Sequence, residues 1–173
     1  MLFFIFLPVQ VFSQNDLDIP QLSIQTQSYF HNPDTGTFIY RNAKVEWEGI
    51  TVESTEIHYH PETNRLTAKG YVRVTEGETV AVMDELEINV KDGTGIFRDT
   101  IVYDASNKAY MTAKEVRRVG PNHYVAQTCT FTTCNPKSPA WQITGSEINY
   151  YTQNFSSSRS SILKVGGIPV FYF

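Results

Sequence analysis

Apolar and polar residues alternate in short runs along most of the chain, as in Ala43/Val45/Trp47, Val72/Val74, Leu86/Ile88/Val90 and Ile162 to Val165. Alternation at period two is the mark of a strand with one face in the core. No long stretch carries the i, i+3, i+4, i+7 spacing of an amphipathic helix. Turn chemistry separates the runs: Pro61-Glu62-Thr63-Asn64, Lys91-Asp92-Gly93-Thr94-Gly95, Ala105-Ser106-Asn107-Lys108 and Gly120-Pro121-Asn122. The pattern predicts an all-β chain.

The runs also repeat as a set. Val52-Glu53-Ser54-Thr55-Glu56-Ile57-His58-Tyr59, Ala81-Val82-Met83-Asp84-Glu85-Leu86-Glu87-Ile88, Met111-Thr112-Ala113-Lys114-Glu115-Val116-Arg117-Arg118 and Ile143-Thr144-Gly145-Ser146-Glu147-Ile148-Asn149-Tyr150 share one shape. Their Glu-apolar steps begin at 56, 85, 115 and 147, a period of about 30 residues that marks a stacked supersecondary unit. Within the unit the two apolar positions, Val52 and Ile57 in the first copy, lie an odd number of residues apart. They cannot share one face of a regular strand. A bulge or corner at the small residue between them (Ser54, Ala113, Gly145) would bring both to one side. Stacked bent strands then make a trough or solenoid with an apolar interior and with free strand edges at both ends.

Composition narrows the class further. With 41% hydrophobic, 18% charged and 13% aromatic residues, the chain can build a core and is not of the disordered type. A net charge of −4 and a single adjacent basic pair, Arg117-Arg118, give no cationic field for nucleic acid. The apolar run Met1 to Ser13 is about a dozen residues, short of the roughly 20 that a spanning helix needs. It is expected to be a signal peptide, although no Lys or Arg precedes it. A buried N-terminal strand is the alternative. Export would place the two cysteines, Cys129 and Cys134, where disulfides are permitted.

Candidate chemistry is sparse. The recurring Glu56, Glu85, Glu115 and Glu147 could be read as paired carboxylates of a glycosidase. A Glu preceding an inward apolar residue points outward, however, and a catalytic group would not be stamped into every repeat. His58 and His60 share a face beside a turn and read as a surface pair, and Cys129 with Cys134 lacks the further ligands of a metal site. No phosphate-cradling loop and no Ser/His/Asp set is present in the sequence. No enzyme, cofactor or metal is expected.

Three features together resemble a known family. The repeat from Tyr40-Arg41-Asn42-Ala43-Lys44-Val45 through Arg65-Leu66-Thr67-Ala68-Lys69-Gly70-Tyr71-Val72-Arg73-Val74 resembles the OstA-like, or organic-solvent-tolerance, fold of lipopolysaccharide transport proteins. Thr128-Cys129-Thr130-Phe131-Thr132-Thr133-Cys134 is followed by Pro139-Ala140-Trp141-Gln142-Ile143 and Gly145-Ser146-Glu147-Ile148, and then by Leu163-Lys164-Val165-Gly166-Gly167-Ile168-Pro169-Val170-Phe171-Tyr172-Phe173. In this order they are similar to the passage from periplasmic domain to barrel in the outer-membrane lipopolysaccharide-assembly family.

The resemblance implies a V-shaped β-jellyroll of stacked, bent antiparallel strands whose interior carries the acyl chains of lipopolysaccharide, in the periplasm at the outer membrane. It further implies a signal peptide over 1–13, a polar N-terminal segment over 14–37, the jellyroll over 38–160 and, over 161–173, the start of a passage to a barrel beyond Phe173. The implied partners are lipopolysaccharide, a bridge protein of the same fold added at an edge strand, and an outer-membrane plug lipoprotein reached through the barrel. Cys134 matches the family position that pairs with a cysteine of the C-terminal barrel. A local bridge from Cys129 to Cys134 would require the chain between them to turn. The residues at inward phase, expected to line the trough, are Val52, Ile57, Tyr59, Leu66, Val72, Val74, Val82, Leu86, Ile88, Met111, Val116, Ile143 and Ile148. Trp141 is expected in the core or groove. The rival readings are a soluble periplasmic bridge protein of the same fold, a β-solenoid adhesin or scaffold, and a carbohydrate-active β-helix, which would need a carboxylate cluster confined to one rung.

Overall fold

The computed structural model describes residues 21–151 and 156–173, so the expected signal peptide lies outside the described residues. Twelve strands follow in order: β1 (Ser23–Asn32), β2 (Thr37–Trp47), β3 (Ile50–His60), β4 (Arg65–Glu76), β5 (Thr79–Asn89), β6 (Gly95–Asp104), β7 (Ala109–Gly120), β8 (His123–Thr132), β9 (Trp141–Tyr151), β10 (Ser156–Arg159), β11 (Ile162–Val165) and β12 (Ile168–Tyr172). All belong to one antiparallel sheet in chain order β1 to β9, then β11 and β12, with β10 also on β9. Among the described residues the sheet does not close, and β1 and β12 are its edges. The segment read from sequence as a polar N-terminal stretch contains β1, which extends the sheet by pairing with β2 along Ser23 to Asn32.

The odd spacing within the repeat has a direct structural cause. In β3, Val52 and Ser54 are buried, Thr55 and Glu56 are exposed, and Ile57 and Tyr59 are buried again. The inward phase therefore jumps by one residue at Thr55. The same jump recurs across the sheet, because Thr55 lies opposite Asn42 on β2 and beside the register shift at Gly70 on β4. Further along, Lys114 lies between Asp99 and Thr128, and Ser146 between Thr128 and Ser160. Asn42, Gly70, Asp99, Thr128 and Ser160 all have positive φ. Thus β2, β4, β6 and β8 each carry a left-handed residue that turns the sheet, Ser160 directly follows β10, and β3, β5, β7 and β9 bend beside these positions.

Ser54, Ala113 and Gly145, expected as the corner residues, are the last inward positions before it. The sheet is bent along this line into two limbs that share one interior. A single buried cluster draws on the limb before the corner (Val45, Trp47, Ile50, Val52) and the limb after it (Ile57, Tyr59, Leu66, Leu86, Ile88). The tenth rung is split at the same line. β10 pairs with the Glu147–Tyr150 half of β9, β11 pairs with the Trp141–Thr144 half, and Ser160 marks the break.

Candidate functional site

The interior of the bend is an extended apolar surface, and its rows follow from strand register. Before the corner runs Val45, Val52, Val74, Ala81, Val102, Met111, Phe131, Ile143 and Leu163. After it runs Tyr40, Ile57, Ala68, Leu86, Phe97, Val116, Ala126 and Ile148. Small or slender side chains line the apex between the rows, among them Ala43, Ser54, Ala113 and Cys129, all buried.

Of the residues expected to line this face, Val52, Ile57, Tyr59, Leu66, Val72, Leu86 and Ile88 are fully buried in the first cluster, and Val74 packs against it. Val116 is buried in a second, smaller cluster, with Met111 and Ile148 packed on it. Ile143 lies on the inner row between Phe131 and Leu163. Val82 is different. Its strand turns Ala81 and Met83 inward, so Val82 faces outward, opposite Arg73 on one side and the exposed Ile101 on the other. Sequence reading also passed over Phe97, which packs against both clusters. It missed Phe131, Leu163 and Tyr124 as well. These residues lie on β6, β8 and β11, the return strands that the Glu-apolar motif does not mark, and counting inward phase from the corner would have found them.

The two halves of the interior are filled unequally. The first cluster is closed by its own side chains from Ala43 to Val90. In the second half Val116 is 3% exposed, but its facing row of Met111, Phe131, Ile143 and Leu163 is only half-buried. That wall retains apolar surface that the described residues do not cover.

The outer face explains the repeating glutamates. Across the sheet, one row beyond the corner, register places Arg41, Glu56, Lys69, Glu85, Arg98, Glu115, Gln127, Glu147 and Arg159 side by side. Glu85 accepts from Lys69 at 2.9 Å and from Arg98 at 3.0 Å. The Lys69 hydrogen bond, helped by the charges of Lys69 and Arg98, holds its carboxyl below the usual glutamate value. Glu115 pairs with Arg117, and Glu56 with His58. Glu85 is thus bonded across both neighbouring strands, while Glu56, Glu115 and Glu147 bond along their own strands to His58, Arg117 and Asn149 on the same outward face. Among the described residues no three His, Cys, Asp or Glu gather as a metal site would require.

Both cysteines are free thiols. Cys129 points into the apex, where its Sγ lies 3.5 Å from the Gly145 carbonyl and burial pushes the thiol pKa up. Cys134 lies beyond β8, its N–H donating to Thr132 Oγ1. Tyr124, on the post-corner limb, has its hydroxyl pKa raised by burial first and by the charge of Glu76 second. Glu76 ends β4, on the other limb.

No family model matches the chain. Over 151 residues it is 27% identical to the LPS-assembly protein LptD of Acinetobacter baumannii, covering 86% of this chain and 18% of that protein. It is 23% identical over the same length to LptD of Acinetobacter baylyi. To LptD of Xanthomonas oryzae pv. oryzae it is 28% identical over 120 residues, 65% of this chain and 14% of that protein. Among solved structures it is similar to LptH, the LptA-homologous periplasmic component of the lipopolysaccharide transport device of Pseudomonas aeruginosa, at a TM-score of 0.31 and 14% identity, covering 82% of this chain and 84% of that one. The chain spans less than a fifth of the length of these curated relatives. Over 86% of its residues it is similar to the LPS-assembly proteins LptD.

Proposed function

We propose that this chain is a periplasmic conduit segment for lipopolysaccharide on its way into the outer membrane, holding the acyl chains on the inner face of the bent sheet. The observation that carries the reading is the continuous apolar interior whose second half is left partly uncovered. Each Å² of that wall removed from water by an acyl chain is worth about 25 cal/mol. A shallow wall of this kind favours many weak contacts over one deep pocket, which suits passage. Val52, Ile57, Tyr59, Leu66, Val72, Leu86 and Ile88 act as the closed part of the lining. Met111, Val116, Ile143 and Ile148, joined by Phe131 and Leu163, act as the open part.

The sheet edges fit the same reading. β1 presents an edge open among the described residues, with Tyr29 and Phe30 exposed, a surface on which a bridge protein of the same fold could add a strand. At the other edge, β12 exposes Ile168, Val170, Phe171 and Tyr172, suited to burial against a barrel and, through it, a plug lipoprotein. Cys134, partly exposed outside the apex, is the thiol placed to pair with a distant cysteine. Cys129, buried in the apex, is the less suited of the two.

The test is photo-crosslinking in cells. A benzophenone side chain at Met111, Ile143 or Ile148 is expected to capture lipopolysaccharide, and one at the outward Glu115 or Val82 is not. Adducts confined to the outward positions would end the conduit reading.

A further inference from the structure

Among the lysines and arginines of the described strands, Arg118 is the one with inward phase. It follows Val116 by two residues on β7 and sits across from Gly95 and Tyr124. Its row, at the rim of the post-corner limb, is otherwise aromatic or apolar: Phe38, Tyr59, Leu66, Ile88, Tyr124 and Tyr150. Glycines border the guanidinium on the neighbouring strand and turn, and Gly93 lies directly against it. A Cβ at Gly93 would lie 3.4 Å from the guanidinium carbon, while Gly95, opposite Arg118, is held to glycine by the β5 backbone, where a Cβ would lie 2.5 Å from the Glu87 carbonyl oxygen.

The guanidinium is held but not neutralised. It lies over the Tyr124 ring at 5.6 Å, and one Nη donates to the Pro121 carbonyl at 3.3 Å. Its Nε is buried without a hydrogen-bond partner, and no carboxylate lies within ion-pair distance among the described residues. Its neighbour Arg117 shows the ordinary arrangement: outward, paired with Glu115 at 3.0 Å. A cation left with an unused donor at the lip of an apolar trough costs stability unless something anionic completes it. The adjacent turn adds Lys91, exposed, while the Asp92 carboxylate in that turn is occupied by the Thr94 N–H and hydroxyl.

We propose that Arg118 is an anion seat at the rim, taking a phosphate of an acylated amphiphile whose chains lie on the half-covered wall of Met111, Phe131 and Ile143. The guanidinium fork suits a phosphate, and the rim is where a head group must sit if the chains lie below it. This rests on the conduit reading and specifies which part of the lipid is recognised, and where.

The experiment uses the purified chain and displacement of a fluorescent fatty acid by diphosphoryl lipid A and by the same lipid after phosphatase treatment. The wild type is expected to prefer the phosphorylated lipid by roughly tenfold, the effect of one charge-assisted hydrogen bond at a half-exposed site. Arg118→Gln is expected to abolish the preference while leaving affinity for the dephosphorylated lipid unchanged. Arg118→Lys, which keeps the charge without the fork, retains part of it. Arg117→Gln, the same change in net charge on the outer face, keeps all of it. A preference that survives in Arg118→Gln, or equal weakening toward both lipids, overturns the anion seat. A wild type that binds both lipids without preference overturns the seat and leaves the conduit standing. A wild type that binds neither overturns both.

Discussion

Leu86 and Val82 lie four residues apart on β5, yet the corner between them puts their side chains on opposite faces. Leu86 is 1% exposed and flanked across the strands by Ala68 and Phe97, whereas Val82 is flanked by Arg73 and Ile101 on the outer surface. Truncating Leu86 to Ala forfeits roughly 0.8 kcal/mol for each buried methylene-sized group. That comes to about 2.5 kcal/mol, rising toward about 4 where the cavity stays open. Because both limbs and the apex enclose this position, little collapse is available and the upper part of the range is expected. Val82→Ala removes carbon from a half-exposed surface and is expected to cost no more than about 0.5 kcal/mol. Urea denaturation followed by circular dichroism, with the slope m compared between variants, measures both. A Leu86→Ala loss under about 1 kcal/mol, or a Val82→Ala loss equal to it, would refute the placement of the corner.

Three further outcomes follow from the same geometry. Gly70→Ala forces a side chain onto φ +91°, with Thr55 Oγ1 3.4 Å from the new Cβ, and is expected to lose roughly 1–2 kcal/mol by the same denaturation; an unchanged midpoint would mean the bend does not need that conformation. Glu85→Gln, removing the carboxylate shared by Lys69 and Arg98, is expected to cost under about 1 kcal/mol at neutral pH because its partners are exposed. Since the folded protein holds the Glu85 pKa below its ordinary 4.5, its contribution is full above that value and lost as pH falls through the lower folded one; variant and wild type should therefore converge in acid, and a gap that persists there would assign the effect to packing. Maleimide at neutral pH is expected to label Cys134 in the folded protein and Cys129 only after unfolding, because the Cys129 thiol is buried and its pKa raised; equal labelling rates would place Cys129 outside the apex.

Strand content and the thirty-residue unit were legible because both rest on period: alternation marks the strands, and Glu-apolar steps mark every second one. The existence of a corner was also legible, since Val52 and Ile57 cannot otherwise share a side. Its position was not. Small residues such as Ser54 and Ala113 look like the bend, but they are small because the apex leaves them little room. The bend itself is set by left-handed residues on the neighbouring strands, and Asp99 and Thr128 carry no sequence mark of positive φ. Val82 was misplaced for the related reason that it is more apolar than Ala81, while phase, not hydrophobicity, decides the face. Arg118 escaped because it reads as half of a surface basic pair, and only the register places its side chain over the rim.

The glutamates that looked most like chemistry instead help to fix the fold, and where their pattern changes the interior changes too. In the first half each outward Glu stands between basic residues on both neighbouring strands, as Glu56 does between Arg41 and Lys69 and Glu85 between Lys69 and Arg98. A strand slipped by two residues would keep its apolar side inward but lose both the charge partners and the corner, so ladder and corner together specify register. Gln127 interrupts the ladder, placing a neutral residue between Glu115 and Glu147. The inner wall opposite that interruption is also the one left half-covered by Met111, Phe131 and Ile143. A first half that is filled and charge-matched leaves a guest little apolar surface to cover, while a second half with unspent apolar surface gains most from one. An acyl chain would therefore stabilise the β7–β9 region more than the β2–β5 region, which makes the second half the stretch where occupancy and local stability are coupled.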